Sequence, residues 1–190
     1  MIRMNKLTIA TSLLLLVSCL ACTTEEVVFD ADVQLAADVE VISAYVQDNN
    51  IPAMQHESGF YYIVNEPGDA APINNKCELR FRLEVYGLDS TFYFSTIRES
   101  ELLSPQNPRE ITYDLFPCYG FDLQSRFVLN QLQGLIGLGG QIDMVVPSGL
   151  AWANQGYERW LYPYVEGQPR MINIPPHTNV LMSAELIYAE

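Results

Sequence analysis

Histidine, cysteine and basic side chains are scarce in this chain, and each scarcity excludes a class of function. The 190 residues include 2 His, 4 Cys and 10 Lys+Arg against 23 Asp+Glu, for a formal net charge of -13. Nucleic-acid binding needs a basic footprint that neutralises phosphates, so no nucleic acid is expected as a partner. Beyond the two N-terminal cysteines there is no CxxC pair, and His56 and His177 are far apart in the sequence, so no metal site is expected either.

Apolar residues make up 49% of the chain, which is enough for one sizeable core and favours one globular domain. Residues 1–18 differ from the rest, because Arg3 and Lys6 precede the apolar run Leu13–Val17, which is too short to span a bilayer. This pattern predicts a signal peptide over 1–18. The residues 19–29 are expected to form a tether in front of the domain.

The end of the signal peptide, Leu16-Val17-Ser18-Cys19, resembles a bacterial lipobox, in which a small residue precedes the cysteine that becomes lipidated. Lipidation is therefore predicted at Cys19; Cys22 is the alternative acceptor, and an ordinary secretory signal is the alternative to a lipobox. Lipid chains would tether the protein to a membrane without a spanning helix. The expected location is the bacterial cell envelope, facing the periplasm or the cell surface. Cys77 and Cys118 would share that compartment, and the sequence leaves their pairing open.

Hydrophobic periodicity predicts a mixture of helices and strands. From about Asp30 to Asn50 apolar residues recur at three- and four-residue steps, which predicts an amphipathic helix capped by Asp30 or Asp32. Alternating apolar and charged residues over 77–86 predict a half-buried antiparallel strand. Further strands are predicted at 58–64, 91–96, 111–116, 141–146 and 180–188, a second helix at 123–138 closed by Gly139-Gly140, and a loop at 147–157.

This order of elements predicts an α+β fold class, with a curved antiparallel β-sheet wrapped over one helix.

Several stretches resemble a known family. The segment 139–152, G-G-Q-I-D-M-V-V-P-S-G-L-A-W, resembles the G-G-x-x-x-x-x-I-P-S-x-L-A-Y-G segment of the FK506-binding-protein (FKBP) type peptidyl-prolyl isomerases. The segment 174–186, I-P-P-H-T-N-V-L-M-S-A-E-L, resembles their closing I-P-P-N-T-x-L-x-F-x-V-E-L. The stretch S-G-F-Y-Y-I-V-N-E-P-G and the helix before it resemble the N-terminal extension of lipoprotein members. The resemblance covers roughly residues 35–188 and implies an FKBP-like fold, with an N-terminal helical extension over 30–57 and the FKBP-like domain over 58–190.

The resemblance also implies an activity, namely cis-trans isomerisation of X–Pro bonds during the folding of extracytoplasmic proteins. Proline-containing polypeptides are the expected clients, and no cofactor is expected. An X–Pro bond isomerises over a barrier of roughly 20 kcal/mol, because twisting destroys amide resonance. A dry, aromatic-lined pocket favours the twisted amide. An enzyme of this kind therefore needs no catalytic triad, and its absence is not evidence against catalysis.

Matching the family's pocket to this sequence gives both agreements and departures. Tyr93, Trp152 and Ile174 fall on pocket positions with suitable residue types. Leu83, Phe94 and Met182 stand where the family has a tyrosine, an aspartate and a phenylalanine, respectively, and Leu129 or Asn130 stands where it has a tryptophan. The predicted catalytic pocket therefore consists of Leu83, Tyr93, Trp152, Ile174 and Met182. Each of those in a strand has an alternative interpretation as a core residue.

The departures leave a second function open. The chain would then be a catalytically weak or inactive FKBP-like module that binds peptides or acts as a chaperone, or else a structural envelope lipoprotein. An insertion at 153–171 is rich in aromatic residues, namely Tyr157, Trp160, Tyr162 and Tyr164. It is interpreted either as a lid over the pocket or as a small core that packs the loop down.

Overall fold

A computed structural model describes residues 30–69, 78–96, 113–115, 128–132, 134–161 and 170–190, without the side chains of 115, 160, 161 and 170. The predictions for the signal peptide, the tether and Cys19 lie outside the described residues. So do those for Cys77, Cys118, Tyr162, Tyr164 and the side chain of Trp160.

The predicted N-terminal helix is confirmed as α1, Ala31–Asp48. Asp30 caps it, because a carboxylate oxygen accepts hydrogen bonds from the backbone N–H groups of Asp32, at 2.9 Å, and Val33, at 3.2 Å. The helix ends at Asn49, whose backbone N–H donates to the carbonyl of Tyr45. In the part of the chain that the structure describes, no helix combines the length and the apolar character needed to cross a membrane.

In the described part of the chain, seven strands form an antiparallel sheet that makes up the body of the fold. The strands run in the order β1, β2, β6, β9, β3, β4, and β5 also pairs with β3. Their bounds are β1 Met54–Gln55, β2 Tyr61–Glu66, β3 Leu79–Gly87, β4 Phe92–Ser95, β5 Tyr113–Leu115, β6 Gln141–Val146 and β9 Val180–Ala189. The six predicted strands are confirmed apart from shifts of a few residues at their ends. A second sheet is a hairpin of β7, Tyr157–Leu161, and β8, Arg170–Ile174.

The two faces of the large sheet bury different partners. The inner face carries the alternating apolar residues of β3, β6 and β9, and it forms the main core together with Phe60, Val128, Leu129 and Leu132. Helix α1 covers part of the outer face, where Ile42 and Val46 pack with Val145 of β6. Helix α1 is thus joined to the sheet by an apolar cluster of its own.

The prediction of a helix at 123–138 is wrong for the described residues 134–138, which are not helical. A single 3₁₀ turn, Val128–Gln131, is present, and turns follow it. The reason is non-local: the N–H of Gly137 donates to the carbonyl of Pro67, and the N–H of Gly139 to that of Leu186. These donors therefore bond to distant strands and loops instead of to the preceding helical turn.

Candidate functional site

Three aromatic side chains from separate parts of the sequence meet above the main core. Phe94 comes from β4, Trp152 from the loop after β6, and Tyr157 from the start of β7. The ring centroids are 6.2 Å apart for Phe94 and Trp152, 6.1 Å for Phe94 and Tyr157, and 5.3 Å for Trp152 and Tyr157. Phe94 is buried, whereas Trp152 and Tyr157 are half-buried and leave part of their surface accessible to a ligand. We call these three residues the aromatic cluster.

The loop that carries Trp152 is held by backbone hydrogen bonds. Pro147 leads into a short 3₁₀ turn, Ser148–Leu150. The carbonyl of Ser148 then accepts from the N–H groups of Ala151, at 3.0 Å, and Ala153, at 2.7 Å. Ala153 has a φ of 48°, in the left-handed region that is unfavourable for most residues with a side chain. The loop therefore has a defined shape in which Trp152 is directed at Phe94 and Tyr157.

The I-P-P corner lies next to this loop. Ile174 ends β8 and is buried, and Pro175 and Pro176 follow it. The N–H of His177 donates to the carbonyl of Ala153 at 2.8 Å, and the hydroxyl of Thr178 donates to the carbonyl of Pro175 at 2.7 Å. Two prolines restrict φ, so the corner between β8 and β9 is stiff and fixed to the Trp152 loop.

Tyr93 of β4 reaches the segment that follows Pro176. It is half-buried, and its hydroxyl is hydrogen-bonded to Thr178. Burial raises the pKa of Tyr93 above its ordinary value, the nearby carboxylate of Asp89 raises it further, and the hydrogen bond with Thr178 acts in the opposite direction. The phenol is therefore neutral at physiological pH and available as a hydrogen-bonding group.

Solved structures with a similar overall fold identify the fold class. A crystal structure of FkpA from Escherichia coli has a TM-score of 0.52 at 15% identity, over 99% of this chain and 74% of that one. A crystal structure of a peptidyl-prolyl cis-trans isomerase from Pseudomonas syringae pv. tomato has a TM-score of 0.50 at 14% identity, over 82% and 95%. The fold is FKBP-like. No family model matches the chain, and no curated protein sequence matches it. At identities this low the likeness concerns the fold alone.

The predicted pocket residues fall into two groups according to how deeply their side chains are buried. Trp152 and Tyr93 are half-buried at the surface of the core. Leu83, Ile174 and Met182 are within 1% of complete burial. The side chains of the second group therefore lie in the main core, against which Tyr93, Trp152 and Tyr157 pack. Of the two positions matched to the family's tryptophan, Leu129 is buried and Asn130 half-buried, both in the 3₁₀ turn.

The hairpin β7–β8, which the sequence did not predict, begins within the insertion at 153–171 and ends beyond it at Ile174. Tyr157 pairs with Ile174 and Trp160 with Met171 in the register of this hairpin. Tyr157 packs on Trp152 and Phe94, so the one lid residue whose side chain is described belongs to the aromatic cluster. The other three aromatic side chains of the insertion lie outside the described part.

Sequence reasoning also missed a buried polar group beside the site. Asp38 of α1 is buried and accepts a hydrogen bond from the hydroxyl of Ser148 at 2.5 Å. Its signal in the sequence was an acidic residue three positions after Leu35 and four before Ile42, on the apolar stripe of the helix. Among the residues described, no group of three or more His, Cys, Asp or Glu comes together to hold a metal ion.

Proposed function

We propose that this chain is an FKBP-type peptidyl-prolyl cis-trans isomerase that acts on proline-containing polypeptides. The observation that carries the proposal is the aromatic cluster, which presents Trp152 and Tyr157 half-buried beside the I-P-P corner of an FKBP-like domain. An apolar, partly exposed aromatic surface next to a rigid backbone corner suits a proline ring. Tyr93 supplies a hydroxyl beside the same corner, where it is hydrogen-bonded to Thr178.

The proposed reaction follows from the chemistry of the amide. Twisting an X–Pro bond removes its conjugation, so the carbonyl and the nitrogen change character without any covalent step. Trp152 and Tyr157 would exclude water from the bound proline, which lowers the cost of the twisted state relative to the planar one. The N–H of Ile174 is proposed to hold a substrate carbonyl, as the matching residue does in the family. Leu83 and Met182 would act by supporting these groups.

The test is a protease-coupled isomerisation assay on an X–Pro peptide series. The proposal expects acceleration by the wild-type protein and a loss of at least about tenfold in kcat/KM for Trp152→Ala, since one buried aromatic contact is worth more than about 1.4 kcal/mol. The matched control is Tyr61→Ala, which removes another half-buried aromatic ring, on the outer face of the sheet. Equal loss in both variants would point to general destabilisation instead of a pocket at Trp152.

A second candidate function is binding without catalysis. Phe94 favours it, because this buried ring takes the position at which the family has an aspartate that orients the substrate. An apolar cluster that binds planar and twisted amides equally well gives affinity but no acceleration. A folded protein that binds X–Pro peptides, protects an unfolded client from aggregation and accelerates nothing would establish this alternative.

We further propose that the protein is lipid-anchored at Cys19 in the bacterial envelope. The lipobox resemblance of residues 16–19 supports this proposal. Labelled palmitate should be incorporated by the wild-type chain and by Cys22→Ser but not by Cys19→Ser. Labelling that is lost in Cys22→Ser and kept in Cys19→Ser would move the anchor to the alternative site.

A further inference from the structure

Ser148 is hydrogen-bonded to helix α1 and to both segments that shape the candidate site, namely the Trp152 loop and the I-P-P corner. We propose that Asp38 is a positioning residue: through Ser148 it holds the Trp152 loop and the I-P-P corner in their relative places. The assignment rests on the proposed function, because the site it positions is the proposed proline site. Asp38 itself lies on a different element and does not join the aromatic cluster.

The first step is the burial of the carboxylate. Asp38 is 4% exposed, its Oδ2 accepts from the hydroxyl of Ser148 at 2.5 Å, and its Oδ1 accepts from Nε2 of Gln34 at 2.8 Å. Burying a carboxylate is costly unless its oxygens are hydrogen-bonded, and bonds to a charged acceptor are stronger than neutral ones. Asp38 therefore fixes the position of Ser148, which is itself completely buried.

Ser148 is hydrogen-bonded in turn to the corner and to the Trp152 loop. Its N–H donates to Oδ1 of Asn179 at 2.8 Å, four residues after the first proline of the corner. Its carbonyl accepts from Ala151 and Ala153, which flank Trp152. The carbonyl of Ala153 accepts in turn from the N–H of His177. Ser148 is thus bonded to the helix, the loop and the corner at once.

Attachment of helix α1 to the sheet does not depend on Asp38. Ile42 and Val46 anchor α1 to the outer face of the sheet in a cluster that does not include Asp38. Leu35, about one helical turn before Asp38, lies close to Gly149, so an apolar contact also joins α1 to the loop. A buried charged group adds little net stability compared with apolar residues of similar volume, so stability alone does not account for Asp38. The structure therefore assigns to Asp38 the role of fixing the geometry of the Trp152 loop through Ser148.

The experiment compares four variants of the whole chain. Asp38→Ala and Ser148→Ala each remove one partner of the bond between the helix and the loop. Asp38→Asn keeps an oxygen that accepts from Ser148, and the amide of Gln34 can turn to meet the new NH₂ group. Ile42→Val is the matched control, because it weakens the packing of the same helix without touching Ser148. Amide hydrogen exchange at Ala153 and His177 and the kcat and KM for an X–Pro peptide are measured for all four.

The expected result is exchange about tenfold faster at these two amides in Asp38→Ala and Ser148→Ala, as for the loss of one buried hydrogen bond. Exchange in Asp38→Asn and Ile42→Val should stay near the wild-type rate, and KM should rise only in the two alanine variants. Equal effects in Asp38→Ala and Ile42→Val would overturn the proposal, as would unchanged exchange in Ser148→Ala. If Asp38→Ala does not fold, Ser148→Ala decides alone.

The two proposals fail in distinguishable ways. A wild-type protein without isomerase activity overturns the proposed reaction, while the exchange contrast still shows whether Asp38 holds the loop. An active wild-type protein whose alanine variants keep both the exchange rates and KM overturns the role of Asp38 and leaves the reaction standing.

Discussion

Replacing Leu83 by alanine tests whether this position belongs to the core or to a pocket wall. Leu83 is completely buried on the inner face of β3, opposite Ala184 of β9. Its backbone N–H donates to the hydroxyl of Thr96 at 2.9 Å, and the substitution leaves that bond intact. The loss is therefore confined to three side-chain carbon atoms and the cavity that they leave. Buried Leu→Ala changes cost about 2–5 kcal/mol, and complete burial at the centre of the sheet places this one at about 3 kcal/mol.

Urea unfolding measures this loss directly. With an m-value of about 2 kcal/mol per M, a loss of about 3 kcal/mol lowers the midpoint by about 1.5 M at unchanged m. Val33→Ala is the control, because Val33 is 66% exposed on α1 and its replacement should change the free energy of unfolding by less than about 0.5 kcal/mol. A loss below about 1 kcal/mol for Leu83→Ala, together with a large drop in peptide affinity, would refute the reasoning. It would mean that Leu83 lines an open pocket.

Two further predictions concern a glycine and a phenol. Gly137→Ala should destabilise the fold by about 1–3 kcal/mol in thermal or urea unfolding, because a Cβ there would collide with the backbone of the chain after β2, whereas Gly149→Ala, with only ordinary contacts, should be near neutral. The pKa of Tyr93 is raised, so the stability it contributes is fully present below the pKa of an unfolded tyrosine and is lost as pH rises through the folded value. NMR titration of labelled tyrosine should show the raised pKa of Tyr93. The substitution Asp89→Asn should shift this pKa back towards the ordinary value.

The large sheet could be predicted because its strands carry their own signal. In β3 every second residue is apolar, and those residues are the ones that the structure buries, so a period of two was sufficient. Helix α1 was also predictable from local signals, namely a capping aspartate and an apolar stripe. The structure of the segment after residue 132 depends instead on contacts with distant residues. The N–H groups of Gly137 and Gly139 donate to Pro67 and Leu186, and no pattern within the segment encodes such distant acceptors.

The candidate site was predictable only in part, for the same reason. Trp152, Tyr93 and Ile174 were identified by resemblance of the flanking motifs, and the structure places Trp152 in the aromatic cluster and Tyr93 beside the corner. Phe94 was expected only as a departure from the family pattern, yet it is the buried ring on which Trp152 and Tyr157 pack. The charged residues in β7 obscured its pairing with β8, so the hairpin was assigned to an insertion.

The packing of Phe94 bears on how much catalysis the site can supply. An aspartate at this position would place a charge beside Trp152 and hold the substrate through a polar bond, whereas Phe94 extends the apolar surface instead. The polar groups left at the site are the hydroxyls of Tyr93 and Thr178 and the backbone around Ile174. Since only interactions that strengthen on twisting accelerate the reaction, any rate enhancement has to come from desolvation and from these neutral polar groups. The ratio of turnover to peptide affinity is therefore the quantity that distinguishes an isomerase from a binding module built on the same fold.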